Sequence, residues 1–225
     1  MPILMYHYIS SPPPGADAIR LDLSVSPARF ASHLQALKDA GYQSITLRTL
    51  FDHLMRGEPL PDNPIVISID DGYEDGYVNG FPILQEAGFS AAFFVITDFV
   101  NEERPEYMSW DQMREMAEAG MEIGCHSRNH PDLRGKSVDY LVWQALGCQE
   151  SIELELGFHP HLISYPSGWY DQRTIEVFHS AHYWGGLVSH QGNIQSSSRP
   201  FELVRLRVRG AHTAEDLLEV LELEW

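Results

Sequence analysis

Ile65-Val66-Ile67-Ser68-Ile69-Asp70-Asp71-Gly72-Tyr73 is an apolar run that stops on two adjacent carboxylates and a glycine. Its β-branched residues predict a buried strand over Ile65 to Asp70, and Gly72 lets the chain turn sharply just beyond it. Two neighbouring aspartates repel, and one takes up a proton, unless a cation accepts one as a ligand and leaves the other to receive a proton from water. Outward from this run the same cadence recurs. Strand-like segments at Ile3 to His7, Gln43 to Leu47, Ala91 to Thr97, Met121 to Cys125, Leu162 to Tyr165, Tyr183 to Ser189 and Leu203 to Val208 alternate with stretches of helical period. Several are apolar throughout, as parallel strands covered on both faces are. The reading is an α/β fold, a βα-repeating barrel, whose active site belongs at the carboxyl ends of the strands.

The helices between them carry their own punctuation. Ser26 and Pro27 open one whose apolar face is Phe30, Leu34 and Leu37, and Gly41 closes it. Ser109 with Gln112 forms a capping box ahead of Met113 and Met116, with Gly120 as the stop. Thr213 with Asp216 starts the last helix, which offers Leu217, Leu218 and Leu221 to the barrel. Ser10 to Ala16 and Gln191 to Pro200 read as surface loops. With no repeat and no linker, residues 1–225 are expected to form a single domain.

With 15 Lys+Arg against 32 Asp+Glu, the formal charge is −17, which repels phosphate backbones and makes nucleic acid an unsuitable partner. No stretch is apolar for long enough to span a bilayer. The chain starts directly on a strand-like run without a signal-peptide pattern. As it stands it reads as cytoplasmic, or as a cell-envelope or secreted protein whose leader has been removed. Cys125 and Cys148 are not in a CxxC arrangement, and two buried free thiols are the expectation.

Two further strand ends carry chemistry. Cys125-His126-Ser127-Arg128-Asn129-His130 places two imidazoles four residues apart after a strand. Together with one aspartate they leave open positions on a divalent ion, as a catalytic site requires. Taken alone, the pair reads equally well as loop or capping side chains. Ser164-Tyr165-Pro166-Ser167-Gly168-Trp169-Tyr170 ends a strand on a Pro-x-Gly turn with aromatic neighbours.

Asp-Asp-Gly, His-x-x-x-His and Tyr-Pro-x-Gly in that order resemble the motif set of the polysaccharide deacetylases of the NodB-homology type, carbohydrate esterase family 4. The chain is most similar to their poly-N-acetylglucosamine deacetylase branch. The match extends over Pro2-Ile3-Leu4-Met5-Tyr6-His7, Val25-Ser26-Pro27, Gly41-Tyr42, the run from Phe81 to Val95, and Ser109-Trp110. The resemblance implies a distorted, TIM-like (β/α) barrel, with Asp70 as general base and Asp71, His126 and His130 holding a divalent metal, zinc by default with cobalt or nickel as alternatives. It maps Ser167 onto the position whose backbone N–H stabilises the oxyanion. The acid histidine of typical members lies in a late Leu-x-His motif that is missing here, with His190 as the nearest positional candidate. In the biofilm-type branch the motif order is permuted, and Leu4-Met5-Tyr6-His7 matches that form, so the acid is assigned to His7. The arginine that leads the third motif in typical members is also absent, and Arg205 or Arg207 on the last strand could supply a cation near the base.

The expected activity is metal-dependent hydrolysis of N-acetyl groups on an N-acetylated carbohydrate, with Tyr73, Trp110, Trp169 and Tyr170 as candidate sugar platforms. Deacetylation of a small-molecule or non-sugar amide is the alternative within the same chemistry. A non-catalytic carbohydrate-binding domain is the alternative outside it.

Overall fold

The computed structural model describes residues 1–223. Seven parallel strands close into a ring: β1 (Ile3–Tyr6), β3 (Pro64–Ile69), β4 (Ala92–Val95), β5 (Glu122–Cys125), β6 (Leu162–Ser164), β7 (Gly185–Gln191) and β8 (Leu203–Arg207). Closure comes from β1, which pairs with β3 on one side (Ile3 to Val66, Tyr6 to Ile69) and with β8 on the other (Leu4 to Leu206). A distorted, TIM-like (β/α) barrel is what the sequence predicts, but the second strand lies outside the ring. β2 is only Gln43–Ser44 and pairs with the start of β3. The run expected to extend to Leu47 is cut short because the Thr46 side chain caps a helix, α3 (Leu47–Arg56).

Side-chain parity along the strands explains both the core and the site. Ile65, Ile67 and Ile69 face outward into the large core shared with the helices, while Val66 faces inward. Inside, Ile3, Val66, Phe94, Leu162, Leu187 and Leu203 pack together low in the barrel. The next inward positions up the same strands are Met5, Ser68, Ser164, Ser189 and Arg205, so the interior changes from apolar to polar toward the carboxyl ends.

The outer helices follow the sequence signals. α2 (Pro27–Asp39) is capped by Ser26 and buries Phe30, Leu34 and Leu37. α6 (Trp110–Glu118) has the Ser109/Gln112 capping box, and α9 (Ala214–Glu222) has the Thr213/Asp216 one. The remaining helices are α1 (Ala18–Leu23), α4 (Phe81–Ala87, entered through a wider turn at Gly76–Gly80), α5 (Thr97–Asn101), α7 (Val138–Leu156) and α8 (Gln172–Ser180). No described helix is long and apolar enough to cross a membrane. The free thiols expected of Cys125 and Cys148 are not found: the two are paired as a disulfide, with a Cα–Cα separation of 6.0 Å, and join the end of β5 to α7. One residue spacing cannot reveal this, since it depends on α7 packing across β5.

Candidate active site

At the carboxyl end of the barrel, β3 runs out at Ile69 and delivers Asp70 inward, and β5 runs out at Cys125 and delivers His126 beside it. Asp70, Asp71, His126, His130, His7, Ser167, Ser189, Arg205 and Arg207 line one cleft of about 280 Å³. The chain turns out of β3 through Asp71 and Gly72, both at positive φ (73° and 78°). Ser127 (62°), His130 (58°) and Ser167 (55°) adopt the same uncommon conformation. Four non-glycine residues in the left-handed region around one cleft mark backbone strain held for a purpose.

Asp71, His126 and His130 form a set whose ligand atoms all lie within 4.8 Å of one another. His126 Nδ1 is engaged with the Ser164 carbonyl at 2.6 Å. That fixes the ring and turns Nε2 toward Asp71 Oδ1, 3.1 Å away. His130 Nε2 lies 3.5 Å from the same oxygen. A carboxylate oxygen facing two imidazole nitrogens, with one ring oriented from behind by a carbonyl, is a donor set that fits a divalent cation. Burial alone would raise the Asp71 pKa, but the hydrogen bond and charge of His126, with His7 and His130 beyond, hold it below the carboxylate range. Burial opposes the charged form of His126, yet its contacts with Asp71 and Asp70 raise its pKa overall, whereas burial lowers that of His130.

The 126–130 loop is pinned from outside the barrel. Buried Gln144 on α7 accepts from the Arg128 N–H at 2.9 Å and donates to Asn129 at 2.7 Å. The Arg128 guanidinium bridges to Asp98 at 2.9 Å.

Asp70 is tied differently. Arg205 Nη1 and Nη2 each donate to its carboxylate at 2.8 Å, and Ser164 Oγ donates at 3.1 Å. Arg205 itself is fully buried and also holds Ser68 and the Val188 carbonyl. Burial pushes the Asp70 pKa up, but the charge and hydrogen bonds of Arg205, with His126 and His7, outweigh it and keep the carboxyl well below its ordinary value. Of the two arginines left open by the sequence, Arg205 is the partner of Asp70. Ser164 and Gln144 were not singled out; Ser164 carries a signal, since it lies on an inward strand position at the barrel mouth.

Ser167 sits in the tight turn Pro166–Gly168, and its carbonyl accepts from Ser189 Oγ. No described backbone carbonyl takes its N–H. A Cβ at Gly168 would collide with Ser189, so this turn requires glycine there. His7 continues the inward series Ile3, Met5 and reaches the cleft, where its Nδ1 is buried without a hydrogen-bond partner. His190 is exposed on β7 and does not line the cleft, because the neighbouring Ser189 takes the inward position.

The candidate aromatics divide. Trp169 is exposed next to Gly168 at the cleft rim, with the Arg134 guanidinium over its ring. Tyr170 stacks on Tyr165 and donates its hydroxyl to Glu202, so its ring face is already used. Tyr73 follows the Asp-Asp-Gly turn and is sandwiched between Tyr8 and Tyr107. Trp110 is not brought to the cleft: it begins α6, donates to Asn101, and lines a separate hollow with Tyr107 and Val100. Adjacency of Trp110 to a strand-end motif misleads because the intervening helix carries it outward. A hollow at the opposite end of the barrel, lined by Phe94, Leu162 and Trp184, is mainly apolar, and its carboxylate, Glu122, caps the Leu47 and Arg48 N–H groups.

Residues 57–185 match the family model described as polysaccharide deacetylase. YxkH of Bacillus subtilis (strain 168) is 28% identical over 208 residues, 92% of this chain and 71% of that protein. The poly-beta-1,6-N-acetyl-D-glucosamine N-deacetylase of Staphylococcus aureus (strain MSSA476) is 24% identical over 214 residues, 90% of this chain and 72% of that one. Among solved structures, the Streptococcus pyogenes deacetylase PplD, in complex with acetate, superposes with a TM-score of 0.93 at 29% identity, covering 99% of this chain and 98% of PplD.

Proposed function

Because the chain belongs to the polysaccharide deacetylase family, we propose that it removes N-acetyl groups from an N-acetylglucosamine-type polysaccharide or oligosaccharide with the help of one divalent cation. The observation that carries this reading is the division of labour between two adjacent aspartates. Asp71 faces two imidazole nitrogens, while Asp70 faces a buried guanidinium and is kept ionised. The likeness to the Staphylococcus aureus enzyme supports an acetamido sugar as the substrate.

Bound by Asp71, His126 and His130, a divalent cation would polarise the acetyl carbonyl and make a water acidic enough to attack it, with zinc the default for this donor set and cobalt or nickel alternatives. Asp70 takes the proton from the attacking water, and Arg205 keeps that carboxylate ionised and correctly turned until it does so. As the carbonyl carbon becomes tetrahedral, the Ser167 N–H donates to the developing oxyanion; a donor of this kind is worth about 3 kcal/mol of barrier. His7, just beyond the end of β1, gives its proton to the departing nitrogen. The C–N bond breaks, leaving acetate and a free amino sugar. Trp169 at the rim has an exposed ring on which a pyranose could stack.

The test is acetate release from a panel of N-acetylated glucosamine oligomers and non-sugar acetamides with zinc, cobalt or nickel supplied. The expected result is metal-dependent release from the sugars. Release from the non-sugar amides alone would replace the substrate class, and none from any compound with any metal would overturn the reading.

A further inference from the structure

The inward positions of β8 are Leu203, Arg205 and Arg207. Leu203 fills the barrel floor and Arg205 is consumed by Asp70. Arg207 stands two residues on, roughly 7 Å nearer the mouth, and lines the cleft with His7, Ser167 and Gly168. Its backbone N–H donates to the Gln191 side chain, and among the described residues its guanidinium donates no hydrogen bond. Its one ion pair among the described residues is with Asp22 on α1, at 4.0 Å. That carboxylate is already held by Arg209, at 2.8 and 2.9 Å to its two oxygens.

Two guanidinium groups thus share the Asp22 carboxylate beside the cleft, and Arg209 holds it the more closely, so among the described residues Arg207 has no close anionic partner of its own. The Arg207 side chain is 30% exposed, so its planar fork of donors is open to a ligand entering the cleft. Such a fork matches a carboxylate or a phosphate in a two-point contact. A neutral glycan offers it no charged partner.

We propose that Arg207 recognises an anionic substituent, a phosphate ester or a carboxylate, on the sugar adjoining the acetamido residue that is cleaved. The inference rests on the deacetylase reading and narrows its substrate class. The competing role for Arg207 is a tether, through Asp22, for the α1 wall that carries Ile19 and Leu23 into the cleft. A tether would not discriminate between charged and neutral substrates.

The experiment compares three disaccharides with the same acetamido sugar: diacetylchitobiose, its 1-phosphate, and the disaccharide of N-acetylglucosamine with N-acetylmuramic acid. kcat/KM for acetate release is measured with the metal-loaded wild type, Arg207→Gln and Arg207→Lys. In parallel, calorimetry gives the affinities of the corresponding de-N-acetylated disaccharides, which cannot turn over. A charge-assisted pair of this kind predicts at least one anionic probe favoured about tenfold or more over the neutral one, through KM, with the preference falling as salt rises. Arg207→Gln should abolish the preference, and Arg207→Lys should keep part of it. The better of the two anionic probes distinguishes phosphate from carboxylate. Equal handling of all three probes, or an equal loss on all three in Arg207→Gln, overturns the proposal. If no probe releases acetate, the deacetylase reading fails, and the calorimetric affinities still decide whether Arg207 binds an anion.

Discussion

Asp70 and Arg205 come from strands 135 residues apart in the chain and meet inside the barrel through two hydrogen bonds of 2.8 Å. The guanidinium is buried with the carboxylate, so neither charge has water to fall back on. Removing one partner of such a pair leaves an uncompensated buried charge, whereas the intact pair gives little net stability.

Arg205→Met should therefore destabilise the fold by about 3–5 kcal/mol at neutral pH, with a pH dependence of definite sign. In the wild type the folded Asp70 carboxyl titrates below its unfolded value of about 3.9, so its stabilisation is complete above that pH and is lost as pH falls through the folded value. Without Arg205, burial dominates and the folded pKa rises above the unfolded one. The variant should then lose stability as pH rises from about 4 toward 7. Urea unfolding of both proteins across this window should show a gap that widens with pH. The acid limb of the variant's activity should also move to higher pH, because the base must be ionised. A gap independent of pH would mean that Arg205 is only a packing residue.

The donor set predicts metal content. Purified protein should bind one divalent ion, and either chelation or Asp71→Asn or His126→Ala should remove both the ion and the activity. The metal-loaded protein should melt higher than the metal-free one, since a ligand that binds only the folded state stabilises it. Elemental analysis together with thermal melting decides this. Full turnover in verified metal-free protein would overturn the assignment.

The barrel was legible because period and punctuation agree in each unit: an apolar run, a strand-end motif, then a capped helix. Eight strand candidates were expected and eight are present among the described residues, yet β2 falls outside the ring, because Thr46 starts a helix where hydrophobicity alone continues the strand. The four residues Asp70, Asp71, His126 and His130 stood out because they lie within a few residues beyond the ends of β3 and β5, where local sequence fixes position. Arg205, Ser164 and Gln144 act across the barrel or from an outer helix. Their partners are set by closure of the sheet and by helix packing, which no local window contains. The Cys125–Cys148 disulfide was missed for the same reason.

Asp70→Asn separates binding from chemistry. Asp70 is not among the three clustered ligand residues, so the variant should retain the ion while turnover falls by about 10²-fold or more, as for a lost general base. Loss of metal with residual rate would instead exchange the roles of Asp70 and Asp71.

The acid is tested by comparing two histidines in different settings. His7 lies on an inward position of the first strand's line, lines the cleft, and has an unpartnered buried Nδ1; His190 is exposed on β7. Proton donation to the leaving nitrogen requires hydrogen-bond reach of the bound amide without coordination of the ion. His7→Ala should therefore lower turnover of an N-acetyl substrate by about 10²-fold with metal content unchanged, while His190→Ala leaves both near wild type. The deficit of His7→Ala should shrink for an activated acetate ester such as p-nitrophenyl acetate, whose leaving group departs without a proton. Burial holds the His7 pKa below the ordinary histidine value against the pull of Asp71 and Asp70, so the protonated acid is depleted as pH rises, and wild-type kcat should fall on the alkaline side. That limb should disappear in His7→Ala. If the ester-sparing pattern appears in His190→Ala and not in His7→Ala, the acid comes from β7.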